Sequence, residues 1–250
     1  MDLTLTRNEQ HFALAGRTDL GFANADIHMS LTKTNALFRA DTKIFNAYQA
    51  ELDGKGELNL TQPVFTVHAK MKNDFNGAVA GQLQTAVKEI VAAGKSDAKA
   101  AADNADRRLK DAVKDREAAR KHWADLPELP HDRKADARKA WEADIAKAAK
   151  VRAEKEVADG KERRWNLASK LLAEFEQRAG SGNFIVVRKA EFDADLANLK
   201  TGAVKRMAID ATVGDRNFDL DLKGWNFKNM DTSVKAAAHD VVTRLFASIQ

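Results

Sequence analysis

The sequence predicts an α+β fold. An antiparallel β-sheet or sandwich is built from both ends of the chain, a long antiparallel coiled-coil helical hairpin is inserted between its halves, and a helix closes the C-terminus. Three observations carry this. Residues 78–179 are rich in Ala, Lys, Arg, Asp and Glu, have only Gly81, Gly94 and Gly160 as glycines, and hold Pro127 and Pro130 close together. On either side of that stretch apolar and polar residues alternate with period two, as in strands with one buried and one wet face. From Asp231 onward the apolar residues return to helical spacing. The expected division is a β-rich body of residues 1–76 plus 183–250 and a hairpin of residues 77–182.

The N-terminal strands come first. Leu3 and Leu5 share a face, followed by Phe12 with Leu14, then Ile27, Met29 and Leu31, then Phe38, Ala40, Thr42 and Ile44. Tyr48, Ala50 and Leu52 lead into Asp53-Gly54-Lys55-Gly56, which reads as a hairpin turn ahead of Leu58 and Leu60. Phe65, Val67, Ala69 and Met71 complete the set. Alternation, in place of continuous apolar runs, favours antiparallel pairing.

In the hairpin, Leu83, Val87, Ile90, Ala98, Ala101, Ala105, Leu109, Ala112 and Trp123 recur mostly three or four apart. The second arm offers Trp141, Ile145, Ala148, Val151, Val157, Trp165, Leu171, Leu172 and Phe175. This is a coiled-coil seam with alanine in its middle. Two prolines within Leu126-Pro127-Glu128-Leu129-Pro130 mark the corner, because proline inside a helix costs about 3 kcal/mol. Asp132 is placed to cap the second arm, and Gly180-Ser181-Gly182 to end it. Residues equidistant from the corner then face each other: Leu109 meets Val151, Gly94 meets Trp165, and Gly160 meets residues 100–102. Asp106–Lys110, Glu117–Lys121 and Asp159–Arg163 are spaced for outer ion pairs one turn apart. Each arm is about fifty residues, or roughly 75 Å at 1.5 Å per residue.

The strand pattern resumes with Phe192, Ala194 and Leu196, then Met207, Ile209, Ala211 and Val213, a turn at Gly214-Asp215-Arg216-Asn217, and Phe218, Leu220 and Leu222. Beyond Gly224 the apolar positions shift by one, to Trp225 and Phe227, as at a β-bulge. In the final helix Val234, Ala238, Val241, Leu245 and Ile249 form a stripe, widened by Val242 and Phe246, that suits the apolar face of the sheet.

Composition narrows the chemistry. The chain has no cysteine, so disulfides, thiolate metal sites and cysteine nucleophiles are excluded. The net charge of +4 is spread along the chain with no long single-sign block, so no nucleic-acid partner is expected. There is no phosphate-binding loop, no G-x-G-x-x-G and no G-x-S-x-G. His11, His28, His68, His122, His131 and His239 are scattered without metal-ligand spacing. Asp193/Asp195 and Asp219/Asp221 are D-x-D pairs that could hold a divalent cation, but they alternate with apolar residues and read as the wet face of strands. No catalytic, cofactor-binding or metal residue is therefore expected. The candidate partner-binding residues are at the hairpin tip, Trp123, Leu126, Leu129 and Trp141, because tryptophan is favoured in binding hot spots. Against this, the same four side chains can pack on one another and lock the corner.

Leu52-Asp53-Gly54-Lys55-Gly56-Glu57-Leu58-Asn59-Leu60 and Phe218-Asp219-Leu220-Asp221-Leu222-Lys223-Gly224 resemble the repeating amphipathic strands of AsmA/TamB-like bacterial envelope proteins. The resemblance implies lipid transfer along an apolar β-groove, here lined by Ile27, Met29, Phe65, Val67, Ile209 and Leu220. The residues themselves favour a non-enzymatic structural or interaction protein, whose hairpin reaches a protein partner or a second copy in a larger assembly. A lipid-handling envelope protein, with membrane or lipid as partner, is the alternative. The N-terminus alternates like a strand and is not a signal peptide. The expected location is cytoplasmic if Met1 is the natural start, and the bacterial envelope or periplasm if a leader has been cut away.

Overall fold

The computed structural model describes residues 2–5, 10–19, 22–32, 35–45, 47–57, 64–125, 131–180 and 183–248. Leu58, Leu60, the corner residues 126–130, Ser181, Gly182 and Ile249, which carry parts of the reading above, lie outside the described residues. The strands are β1 (Asp2–Leu5), β2 (Gln10–Asp19), β3 (Ala23–Leu31), β4 (Asn35–Ile44), β5 (Tyr48–Glu57) and β6 (Val64–Met71), then, after two long helices, β7 (Ile185–Asp195), β8 (Arg206–Val213) and β9 (Arg216–Leu222). The long helices are α1 (Asn73–Asp125) and α2 (His131–Ala179); α3 (Leu196–Leu199) is a single turn, and α4 (Met230–Ser248) follows a 3-10 turn at Phe227–Asn229.

The described strands form one nine-stranded sheet in sequential order, and every neighbouring pair is antiparallel. It is a meander and not a sandwich. The two long helices leave the sheet after β6 and return into β7. These two strands are themselves hydrogen-bonded, from Thr66↔Asp195 to Lys70↔Glu191. The N- and C-terminal segments therefore complete a single sheet around the insertion. The chain divides into two compact units, one of residues 1–90 with 172–245 and one of residues 91–171 with 246–250.

In the first unit the period-two pattern decides which face is dry. Phe38, Ala40, Ile44, Leu52, Val67 and Ala69 are buried, while Leu37, Arg39, Asp53 and His68 between them are exposed. The same face continues through Phe192, Ile209 and Leu220. The beginning of α1 buries Phe75, Val79, Leu83 and Val87, and α4 buries Val234, Ala238, Val241 and Leu245. Burial of such side chains stabilises by about 1.5–3 kcal/mol each. Polar ties fix the helices in place. The Gln84 side-chain oxygen accepts from the backbone N–H of Phe184 at 2.9 Å and of Ile185 at 3.3 Å. Arg244 donates to the Asp219 carbonyl at 2.9 Å. Gly180 ends α2 with φ 61°, the left-handed cap that glycine adopts without a Cβ penalty.

Aromatic rings converge on Phe227. Its ring lies 5.1 Å from Phe45, 5.2 Å from Phe192, 5.8 Å from Phe75 and 6.4 Å from Trp225, measured between centroids. Tyr48 meets Phe75 edge-on at 5.1 Å, and Phe22 meets Phe45 at 6.2 Å. One side chain in the 3-10 turn thus touches the N-terminal strands, the first turn of α1 and the C-terminal strands.

Three local expectations are corrected. Asp53-Gly54-Lys55-Gly56 is not a turn, because β5 runs straight through it. Gly54 is paired with Phe38 and Gly56 with Phe65 across the strands, and a Cβ on either glycine would overlap the facing ring. The glycines make room for aromatics. Gly224 marks no bulge: β9 has ended at Leu222, Gly224 turns the chain with φ 76°, and Trp225 and Phe227 leave the sheet for the core. The register shift lies in β7, between Val187 and Lys189. The turn before β9 is only Gly214-Asp215, with Val213 paired to Arg216 and Gly214 at φ 62°, a glycine-first two-residue hairpin.

Phe227→Ala removes the ring at which these elements meet, and the expected loss of folding stability is about 3–5 kcal/mol. Urea unfolding followed by circular dichroism measures it, and a loss below about 1 kcal/mol would show that the cluster closes without Phe227.

Candidate functional site

The second unit is the paired middle of α1 and α2. Alanine is the best helix former and its small side chain lets two helices approach closely. The seam accordingly buries Ala98, Ala102, Ala105 and Ala112 from α1 against Ala148, Val151 and Ala168 from α2. Leu109 packs on the cluster of Ala112, Ala148 and Val151, as the fold-back register requires. Gly94 lies against the Trp165 ring, which fills the space where a Cβ would stand. Trp165 also meets Phe246 edge-on at 4.4 Å. Arg108–Glu154 at 2.9 Å, Lys147–Asp115 at 3.1 Å and Lys155–Asp106 at 3.7 Å cross the seam in the same register.

The seam differs from the sequence reading at several points. Ala102, not Ala101, is buried. Ile145 and Val157, expected inside, are 42% and 60% exposed. Each is six residues from Val151, a rotation of about 120° at 3.6 residues per turn, so neither can share its face. Gly160 faces only the Arg163 side chain, with no part of residues 100–102 close to it. Of the outer pairs, Asp106–Lys110 forms at 2.7 Å, whereas Asp159 is taken by Lys155 at 2.7 Å and not by Arg163.

Near the corner, the rings of Trp123 and Trp141 stack 5.3 Å apart with 18° between their planes. Trp123 remains 39% exposed, and Trp141 is half-buried. Leu126 and Leu129, the other two proposed tip residues, lie outside the described residues. The surrounding cations Arg120, Lys121, Arg133, Lys134, Arg138 and Lys139 are all exposed, and Arg138 is tied to Glu142 at 3.0 Å.

The wet face of the sheet carries the chain's remaining polar grouping. A cross-strand row runs His28, Arg39, Asp53, His68, Asp193 and Arg206 through successive registers. Arg39 bonds Asp53 at 2.9 Å, His68 bonds Asp193 at 2.9 Å, and Arg206 bonds Asp221 at 2.9 Å. The hydrogen bond to Asp53 holds the Arg39 guanidinium above its ordinary pKa, and Asp221 does the same for Arg206. Asp195 is engaged by Lys205 at 2.7 Å. Two of the four D-x-D carboxylates, Asp193 and Asp221, therefore serve cross-strand pairing, which contributes a few tenths of a kcal/mol to about 1 kcal/mol per pair, and a third, Asp195, is held by Lys205 just before β8. A trough of about 940 Å³ opens over this row, with Leu37, Lys55 and Thr66 on its rim. It is polar. Of the residues named for an apolar groove, Met29 and Val67 line this trough, Phe65 is half-buried, and Ile27, Ile209 and Leu220 are buried in the packed face. Among the described residues no three His, Asp or Glu side chains are placed to hold a metal ion, and no helix is long and apolar enough to cross a membrane.

No family model, curated protein or solved structure matches the chain.

Two tests address the paired helices. Trp123→Ala removes one ring of the stack, and the expected cost is about 0.5–1.5 kcal/mol beyond lost burial, with loss of the near-ultraviolet dichroism of the pair. An unchanged near-ultraviolet spectrum would mean the rings do not stack in solution. The hydrogen bond from Lys110 holds the Asp106 carboxyl below its usual 3.8, with Lys155 adding to the effect. A depressed folded pKa adds stability that is complete above the ordinary value and vanishes as pH falls through the lowered one. Thermal melts should therefore separate native protein from Asp106→Asn at neutral pH and converge in acid; a gap that persists in acid refutes the ionic origin.

Proposed function

We propose that the protein is a non-enzymatic structural or interaction protein whose helical hairpin makes contacts in a larger assembly. One observation carries the reading. Of the six large apolar side chains exposed among the described residues, four, Trp123, Ile145, Val157 and Leu167, lie on α1 and α2. Single exposed apolar residues are ordinary on a protein surface, but their concentration on one pair of helices is the pattern of a contact surface. Tryptophan adds to it, because a rigid, half-covered indole brings large contact area at low entropic cost. The wet face of the sheet supports the reading from the other side, since Asp53, Asp193, Asp195 and Asp221 are each engaged by a basic side chain.

Removal of residues 100–158, with the arms rejoined by a short turn, tests the proposal. A tagged full-length chain recovered from its native cells should migrate as a complex by size exclusion with light scattering. The shortened chain should migrate as free protein while keeping the strand signal in circular dichroism. Unchanged complex size would take the hairpin out of the function.

A further inference from the structure

Gly77 and Gly81 stand one turn apart in α1 and share a face of it. Glycine inside a helix destabilises it relative to alanine, so its presence asks for a reason. Gly94, further along the same helix, has one: the Trp165 ring occupies the space of a Cβ. Gly77 and Gly81 have none within the described residues. Neither has a positive φ, and a Cβ built on either meets no atom within 4 Å. Both are exposed. The first turns of α1 thus carry a lowered crest, open to the outside, that the packing of this chain does not use.

A groove of about 350 Å³ runs along one side of that crest, between α1 and the start of β7. Asn76 lies in its wall and is only 7% exposed. Its Nδ2 donates to the Arg188 carbonyl at 3.4 Å, and its Oδ1 has no hydrogen-bond partner among the described residues. A buried amide oxygen in this state costs free energy until a donor reaches it. The groove is also free of charge. None of the ten residues that line it is Asp, Glu, Lys or Arg, in a chain of which 31% is charged. Val186, in the same lining, is 53% exposed. Depletion of charge beside exposed apolar surface is the composition of the centre of a protein interface. A second groove, of about 300 Å³, lies on the other side of the crest between α1 and α4, and Gly81 borders both.

We propose that the Gly77–Gly81 crest, with the uncharged groove beside it, is the twofold contact between two copies of this chain. Helices cross most closely where small residues meet on both sides, and a second copy brings the same glycines. In a twofold contact the patch must complement itself. An uncharged surface meets its own copy without repulsion. Amides suit the purpose, because each holds two donors and an acceptor. Asn73, Gln84 and Asn183 line the groove with Asn76, so the facing copy carries amide donors for the Oδ1 that lacks one. A strongly acidic or basic partner would find no opposite charge in this groove to hold it. The contact goes beyond the hairpin reading and does not depend on it. The crest lies outside residues 100–158, so the shortened chain keeps it and should pair in the same way.

Sedimentation equilibrium of the purified full chain, from about 1 to 100 μM, should show a monomer–dimer equilibrium. Gly81→Leu fills the crest where the chain itself leaves room. It should keep the circular dichroism and the melting of a folded chain, and weaken the dimer at least about tenfold. Cysteine gives a second reading, because the chain has none. A disulfide needs its two Cα atoms within about 7 Å, so under mild oxidation Gly81→Cys should cross-link two copies at least about tenfold faster than Lys99→Cys, an exposed position further along α1. A chain that stays monomeric throughout that range overturns the proposal and leaves the crest to a different partner. A dimer that a folded Gly81→Leu chain forms undiminished overturns it too, as does equal cross-linking at the two positions. Should Gly81→Leu fail to fold, the cross-linking comparison decides alone. Failure here leaves the hairpin test untouched: removal of residues 100–158 reads the size of the native complex, and Gly81→Leu reads pairing of the purified chain.

Discussion

Closure of the aromatic cluster around Phe227 is the constraint on which the first unit depends. The ring reaches Phe45 beyond β4, Phe75 in the first turn of α1, Phe192 in β7 and Trp225 beyond β9. These residues come from widely separated parts of the sequence and none of their elements could bury its apolar face alone. With the cluster formed, α1 leaves the sheet at a fixed point directly after β6. The Gln84 carbonyl then caps two backbone donors at the start of β7, so the strand on the far side of the insertion is held by the helix that opens it. The charge ladder on the opposite face follows the strand register from His28 to Arg206.

The two units solve the problem of burial differently. The sheet uses large side chains on one face and ion pairs on the other. The paired helices use alanine, which buries little area per residue but keeps helix propensity high and the helix axes near each other. Their crossing ion pairs, exposed and screened by solvent, fix register more than they stabilise. A seam this narrow leaves most of each helix surface outside it, and on α2 part of that surface is apolar.

Much of this was legible in the sequence because it follows from period. Alternation gave strands and their antiparallel pairing, and the proline corner gave a register that Leu109, Val151, Gly94 and Trp165 obey. What was not legible depends on neighbours distant in the chain. Gly54 and Gly56 read as a turn because the rings of Phe38 and Phe65 that occupy their space come from other strands. Asp193 and Asp221 read as a possible cation site because their partners His68 and Arg206 are fixed only by strand register. Ile145 and Val157 read as seam residues because spacing of three or four tolerates a slow rotation that, over six residues, carries a side chain out of the contact.

The bond between β6 and β7 has a consequence for how the molecule forms. Lys70 and Glu191 must meet although more than a hundred positions separate them along the chain. Bringing such distant points together from a disordered chain is slow, since its entropic toll precedes any reward. Helices assemble within about a microsecond and need no remote partner. A fold-back of α1 onto α2, with Lys88 bound to Glu176 near its base, delivers the two strand ends as near neighbours. The insertion that interrupts the sheet in sequence is thus the shortest kinetic route to joining it.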